Sequence, residues 1–168
     1  MADQTNDDKR KKLGELIRKV KFTMLTTTEA DGRLISRPMT MLDEDFAEEL
    51  WFFVGSHSGA VAQIKADSQV NLGFADPGAN TFVSLSGTAS VVNDRQKAEQ
   101  LWKPIYKAWF PDGLEDPNLA LLRVTATQGE YWDSPDSKVV QAVGFVKSLV
   151  TGKEANVGEN EKIALGND

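Results

Sequence analysis

The sequence contains no cysteine and a single histidine, His57. The absence of cysteine excludes disulfides, thiolate nucleophiles and thiolate metal ligands. One histidine excludes metal sites built from several histidines, and the carboxylates show no spacing typical of a metal site, so no metal is expected. No carboxylate is recognisable in the sequence as a partner that would orient His57 as a base. We therefore expect His57 to be an exposed loop residue, and we assign no catalytic residue.

Long apolar segments are also missing. The longest hydrophobic runs are short, for example residues 50–54, so we expect no helix that crosses a membrane. Residues 1–12 are polar and lack the apolar core of a signal peptide. These features predict a soluble protein of the cytoplasm without a membrane partner.

Positive charge is scarce relative to negative charge. The 19 lysines and arginines face 25 aspartates and glutamates, which gives a net charge of −6. A general nucleic-acid binder needs a basic surface, so nucleic acid is not an expected partner. The length of 168 residues and the 40% of hydrophobic residues indicate one domain with its own core. We predict a polar N-terminal segment over 1–12, a domain over 13–152 and a polar, mobile tail over 153–168.

Turn signals and side-chain alternation predict an antiparallel sheet. Residues 22–28 and 33–41 flank Asp31-Gly32, which is typical of a hairpin. Residues 81–92 alternate between apolar and polar side chains, as in a half-buried strand. Further strands are predicted at residues 50–54, 69–75 and 119–132. We expect an α+β, mainly antiparallel fold: a six-stranded split β-barrel with peripheral helices.

Aromatic side chains lie in two of the predicted elements. Trp102, Tyr106 and Trp109 have the spacing of one face of a helix, which favours a core or dimer interface over a cofactor platform. Trp132 ends a predicted strand, where it could stack on a ligand or pack in the core. After it, Ser134-Pro135 indicates the start of a final amphipathic helix carrying Val139, Val140, Val143 and Val146.

Pro38 interrupts a predicted strand. Because proline cannot donate to a β-ladder, this strand should lie at an edge, at a bulge or at a split in the barrel. A split leaves backbone groups open to a planar heteroaromatic ligand, and Arg37 beside it could hold a phosphate. The alternative is an ordinary exposed arginine on an edge strand.

The loop over residues 55–59 combines hydroxyl groups with glycines before a predicted helix. Backbone N–H groups at a helix start, together with Ser56 and Ser58, can form an anion site without a lysine. The alternative is simple N-capping of the helix by one of these serines.

Several segments, taken in order, resemble the split-barrel flavin-binding proteins related to pyridoxamine 5′-phosphate oxidase, in the general stress protein branch. They cover most of the chain between about residues 13 and 135, and the ordered set carries the resemblance rather than any single motif. The segments are Ser36-Arg37-Pro38-Met39, residues 50–54 (LWFFV), 70–72 (VNL), 83–89 (VSLSGTA), Leu101-Trp102, 109–113 (WFPDG) and 130–133 (EYWD).

The resemblance implies an FMN cofactor at the interface of a homodimer. In the family an arginine of the second strand and a Ser-x-Lys element at the next helix start meet the phosphate. Arg37 and Ser58 match the arginine and the serine, but Ala60 stands where the lysine is usual. The residues implied to bind the cofactor are Ser36, Arg37, Pro38, Met39, Phe53, Val54, Ser56, Ser58, Phe82 and Trp132.

The function implied is that of an FMN-binding, general stress protein-like flavoprotein with weak oxidoreductase activity on an unidentified small-molecule substrate or electron donor. The acidic tail differs from the basic, substrate-gripping C-terminus of true pyridoxamine phosphate oxidases, so that activity is not expected. FAD or a deazaflavin is the alternative cofactor. A non-enzymatic dimeric sensor or sequestering module with weakened or lost flavin affinity is the alternative function, motivated by Gly59-Ala60.

Overall fold

The computed structural model describes residues 6–42, 45–134, 147–152 and 158–165. The helices whose bounds lie within the described residues are α1 (Asn6–Lys19), α2 (Gly59–Ala66) and α3 (Arg95–Leu101), followed by two 3₁₀ turns, Pro104–Ala108 and Gly113–Glu115; residues 147–151 are also helical. The strands are β1 (Phe22–Thr28), β2 (Leu34–Thr40), β3 (Glu49–Gly55), β4 (Gln69–Asp76), β5 (Thr81–Val92), β6 (Leu119–Asp133) and β7 (Glu159–Ala164).

All strand pairs in the sheet are antiparallel. The order is β2-β1-β4-β5-β6-β3, and β7 pairs with β6 beyond the end of β3. β1 and β2 form the hairpin predicted around Gly32, which has a positive φ of 85°. The predicted α+β, antiparallel split barrel is confirmed: the sheet is a curled half-barrel with helices at its margins, extended by the seventh strand.

A β-bulge bends the two longest strands where the sheet curls. The register of β5 against β6 shifts between Ser86 and Gly87. A Cβ atom at Gly87 would collide with the backbone carbonyl of Thr125, so only glycine fits at this position.

The concave face of the sheet carries the core. Side chains on β5 alternate as predicted, and Val83, Leu85 and Ala89 are buried there. α1 covers this face with Leu13 and Ile17, whose spacing of four residues places both on one side of the helix. Within the described part of the chain, no helix has the length and apolar character needed to cross a membrane.

The prediction of one helix through Trp102, Tyr106 and Trp109 is wrong. α3 ends at Leu101, and Trp102 and Lys103 have extended backbone. The cause is Pro104, because a proline excludes the helical conformation from the residue before it and cannot donate to the preceding turn. Tyr106 lies instead in the 3₁₀ turn that follows.

The mobile tail predicted over residues 153–168 is also wrong for its described part. Glu159–Ala164 is a strand of the sheet, and Ile163 and Leu165 are buried in the core. The final helix predicted after Ser134 lies over residues 135–146, which are outside the described residues.

Candidate functional site

A cavity of about 460 Å³ opens between β2, β3, the start of α2 and the 3₁₀ turn after α3. This volume lies within the range of small-molecule sites, roughly 300–1,000 Å³. Its walls are mostly apolar, and Arg37 is the only charged residue among the described residues that line it. The lining residues are Phe22, Arg37, Pro38, Met39, Thr40, Leu42, Phe53, Val54, Gly55, Ser58, Gly59, Ala60, Tyr106, Trp109 and Phe110.

Arg37 supplies the positive charge at one end of this cavity. Its Nη1 donates a hydrogen bond to Thr27 Oγ1 (2.8 Å), and its Nη2 donates to Gln63 Oε1 (2.7 Å). Both partners are neutral, and no described carboxylate lies within ion-pair distance of the guanidinium. Since a guanidinium has five N–H groups, three of them make no hydrogen bond to the described residues. The side chain is therefore held in place with its charge uncompensated.

The start of α2 forms the neighbouring wall. Ser58 is the N-cap, and its Oγ accepts a hydrogen bond from the N–H of Val61 (3.4 Å). The simple capping role predicted as an alternative is thus present, and Ser58 also lines the cavity. Ala60 follows in the first turn, where its small side chain is buried against the same space. The N–H groups and dipole of a helix start favour an anion here.

Phe53, Tyr106, Trp109 and Phe110 give the cavity an aromatic wall, and Trp102 packs behind it without lining the cavity. Phe53, Trp102 and Tyr106 contact one another edge to face, with ring centroids 5.4–5.7 Å apart. Trp109 lies at the rim and is 65% exposed. Sequence reasoning missed Tyr106 and Trp109 as cavity residues because it placed them on a continuous helix; Pro104 was the signal that could have corrected this.

Six of the ten residues predicted to bind the cofactor line this cavity: Arg37, Pro38, Met39, Phe53, Val54 and Ser58. Ser36 lies outside it, where its hydroxyl shares a hydrogen bond with that of Thr26 (2.7 Å). Ser56 also lies outside, and its hydroxyl contacts the exposed His57 ring at Nδ1 (3.0 Å) and the carbonyl of Pro117 (3.4 Å).

Phe82 and Trp132 lie on the convex face of the sheet, away from the lining of the cavity. They are directly opposite each other on β5 and β6 and are 39% and 41% exposed. Phe22 and Met24 of β1 and Leu34 of β2 are also exposed. The strand register places these five large apolar side chains on the face of the sheet opposite the core, and Phe22 among them also lines the cavity.

A second, polar cavity of about 280 Å³ lies at the α1–β7 end of the sheet. There, Lys12 Nζ lies 2.9 Å from both Asp133 Oδ2 and Glu159 Oε2. The hydroxyl of Thr81 donates to Asp133 Oδ1 (2.7 Å). Unlike Arg37, Lys12 has its charge matched by carboxylates, so this cluster stabilises the attachment of α1 and β7.

The titration of this cluster follows from its contacts. Burial alone would raise the pKa of Asp133, but hydrogen bonds from Lys12 and Thr81 outweigh it and lower this pKa. Burial alone would lower the pKa of Lys12, and the two carboxylates outweigh it and raise it. Burial also raises the pKa of Tyr131, beside them, to about 12, and the negative charge of Glu159 adds to this shift. All three groups keep their usual neutral-pH charge, so none is prepared to exchange protons near pH 7.

No group of three or more histidine, cysteine or carboxylate side chains that could hold a metal ion occurs in residues 6–42, 45–134, 147–152 and 158–165. The features on which a ligand site can be built are thus the uncompensated cation, the helix start and the aromatic wall.

The curled antiparallel sheet with a cavity at its split defines the class of split-barrel proteins. Residues 8–156 match the family described as pyridoxamine 5′-phosphate oxidase like, and the chain belongs to this family.

Relatives agree with this assignment. The Neurospora crassa protein bli-3 is 31% identical over 168 residues, which cover 94% of this chain and 80% of that protein. A structure described as general stress protein 26 from Jannaschia sp. CCS1 superposes with a TM-score of 0.76 at 23% identity, covering 95% of this chain and 99% of that one. The general stress FMN/FAD binding protein of Xanthomonas citri is 30% identical, with a TM-score of 0.65 over 74% of this chain and 87% of that chain.

Proposed function

We propose that the protein binds FMN, with the phosphate between Arg37 and the start of α2. The observation that carries this proposal is the cation without a carboxylate partner beside a helix N-terminus, because together they offer charge and N–H donors to one anion. The name of the Xanthomonas citri relative, an FMN/FAD binding protein, supports a flavin.

The rest of the cavity suits the remainder of such a ligand. Its walls are apolar, and the side chains of Phe53, Tyr106 and Trp109 offer aromatic surface beyond the phosphate end. Planar aromatic groups are held well by such walls. The residues present thus fit a ligand with one anionic end and one planar apolar end.

We further propose that the protein is a homodimer. The five exposed apolar side chains of the convex face would be covered by the same face of a second copy, in an isologous interface. This arrangement would give Phe82, Trp132, Ser36 and Ser56 their implied cofactor role at the interface, since none of them lines the cavity of its own chain.

A bound flavin supplies hydride and electron transfer, and the chain supplies binding and position. The described residues that line the cavity include no carboxylate and no histidine, the side chains that most often act as general acid or base. We therefore propose a weak oxidoreductase rather than a true pyridoxamine phosphate oxidase. A non-enzymatic module that sequesters flavin is the second candidate, favoured by Ala60 in place of a lysine.

Purification and titration test these proposals. We expect a yellow protein whose extracted chromophore has the mass of FMN, and fluorescence-quenching titrations with tighter binding of FMN than of riboflavin. Light scattering at micromolar concentration should give twice the chain mass of 18.5 kDa. Equal affinity for FMN and riboflavin would contradict the phosphate site, and a monomer mass would contradict the dimer. Bound FMN without turnover of NADH or NADPH would favour the sequestering module.

A further inference from the structure

Gln63 contacts Arg37 from outside the cavity. This residue of α2 is absent from the cavity lining, yet its Oε1 accepts hydrogen bonds from Arg37 Nη2 (2.7 Å) and from Thr27 Oγ1 (2.6 Å). Thr27 is buried, and its hydroxyl in turn accepts from Arg37 Nη1 (2.8 Å). The three side chains therefore form a closed ring of hydrogen bonds that fixes the guanidinium from behind.

The amide of Gln63 also separates two opposite charges. Its Nε2 donates to Glu29 Oε1 (3.4 Å), while its Oε1 faces Arg37. Glu29 is itself paired with Arg33, at 3.0 Å. Glu29 is thus linked to Arg37 only through the uncharged amide of Gln63. Its negative charge is matched by Arg33 instead.

We infer that Gln63 is the positioning residue that makes this site selective for a phosphorylated ligand. It orients Arg37 through a neutral acceptor, so the guanidinium is fixed without being neutralised and keeps its full charge for an anion. A glutamate at position 63 would reach the same atoms but form an ion pair with Arg37, which would leave little charge for the ligand. This inference rests on the proposed function, because it assumes that the anion is the phosphate of FMN.

A merely structural role would give different results. If the ring of hydrogen bonds only stabilised the packing of α2 on β1, a change at position 63 would lower the affinity for every flavin equally. A positioning role predicts instead that FMN loses affinity and that riboflavin, which has no phosphate, does not.

The experiment compares two variants of Gln63 with a matched control. Gln63→Glu adds a negative charge next to Arg37, and Gln63→Met removes the acceptor without adding charge. Ala62→Glu adds the same charge on the exposed side of the same helix. Each protein is titrated with FMN and with riboflavin at low and high salt, and thermal unfolding reports whether it is folded.

Gln63→Glu should weaken FMN binding by about tenfold or more, the size of one charge-assisted contact. Gln63→Met should weaken it less, by about threefold, because Thr27 still holds Arg37. Riboflavin affinity should change by less than about twofold in every variant, and Ala62→Glu should behave as wild type. The salt dependence of FMN binding should be shallower in Gln63→Glu, since a neutralised arginine leaves less attraction to screen.

Two different results would contradict the inference about Gln63 and the proposed phosphate site separately. A folded Gln63→Glu variant that keeps the wild-type preference for FMN over riboflavin would overturn the inference about Gln63. A wild-type protein that shows no such preference would overturn the proposed phosphate site itself. If Gln63→Glu does not fold, the FMN-to-riboflavin affinity ratio of Gln63→Met decides the question: an unchanged ratio contradicts the inference.

Discussion

Lys12, at the α1–β7 end of the sheet, contacts two carboxylates, whereas Arg37, at the cavity, contacts two neutral side chains. Both cations are partly buried and both are fixed by short hydrogen bonds. At the first end the charges neutralise one another and attach one element to the next. At the second, the charge has no opposite partner in the described chain. The difference shows how a protein distinguishes a cation that holds the fold from one that is available to a ligand.

The largest effect should come from β7, at the charge-matched end. Ile163 is buried in the core, so Ile163→Ala removes apolar contacts and leaves a cavity, at a cost of about 2–5 kcal/mol in the free energy of unfolding. Chemical denaturation measures this loss, with the exposed Lys162→Ala of the same strand as control. Flavin affinity of the folded fraction should stay unchanged. A loss below about 1 kcal/mol would mean that β7 contributes little to the core.

The second-largest effect should come from removing the cation that has no carboxylate partner among the described residues. Arg37→Ala should weaken FMN binding by at least about tenfold, because a charge-assisted contact is lost. Arg95→Ala is the matched control, since Arg95 is paired with Glu99 and Glu115 and does not line the cavity. Fluorescence-quenching titration should show no change in that variant. Unchanged FMN affinity in Arg37→Ala would remove this residue from the site.

The third-largest effect should come from a positive charge added at the cavity, beside the start of α2. Ala60→Lys places an ammonium group at the buried start of α2, beside the proposed phosphate, and should tighten FMN binding by about threefold to tenfold. The gain should be larger at low salt, where screening is weaker. Ala62→Lys, exposed on the same helix, controls for the general effect of charge. Equal or weaker affinity at low salt would mean that the phosphate lies elsewhere.

The smallest effect concerns pH at the charge-matched end. The folded pKa of Asp133 lies below its unfolded value of about 4, so its ionised form stabilises the fold above that pH. This contribution is lost as the pH falls through the folded pKa. Because the pair is partly exposed, the loss should be about 1 kcal/mol or less. Denaturation between pH 6 and pH 3 should show it in wild type, and a profile equally steep in Asp133→Asn would assign the effect to other carboxylates.

Much of the fold was predictable because its signals are local. The Asp31-Gly32 turn and the alternation along β5 depend on neighbouring residues alone. β7 was not predictable in this way. Of its inward-facing positions, 159 and 161 are glutamates, which face Lys12 and Lys9 of α1, and only Ile163 is apolar. Hydrophobic alternation is therefore missing, and the glutamates find their partners on a helix about 150 residues away in the sequence, which no local pattern shows.

The residues of the candidate site also fall into those that local sequence predicts and those that only tertiary packing brings together. Arg37 and Ser58 could be predicted because a strand arginine and a serine before a helix are motifs of local sequence. Tyr106 and Gln63 could not, since the cavity wall and the ring around Arg37 form only when distant elements pack together. The position of Tyr106 outside α3 could have been predicted, because Pro104 indicates in the sequence that the helix ends before it.

β6 has two neighbours placed end to end on one of its edges. β3 pairs with residues 119–125 and β7 with residues 128–133, and the backbone hydrogen bonds of Ala126 to Glu48 and of Leu165 to Thr127 join the two stretches. Detachment of β7 would therefore expose the edge of β6 over residues 128–133, where the N–H and C=O groups of alternate residues would lose their partners, next to the core positions of Ile163 and Leu165. Such an edge is a template for strand pairing between molecules. By covering it, β7 also lowers the tendency of the protein to aggregate.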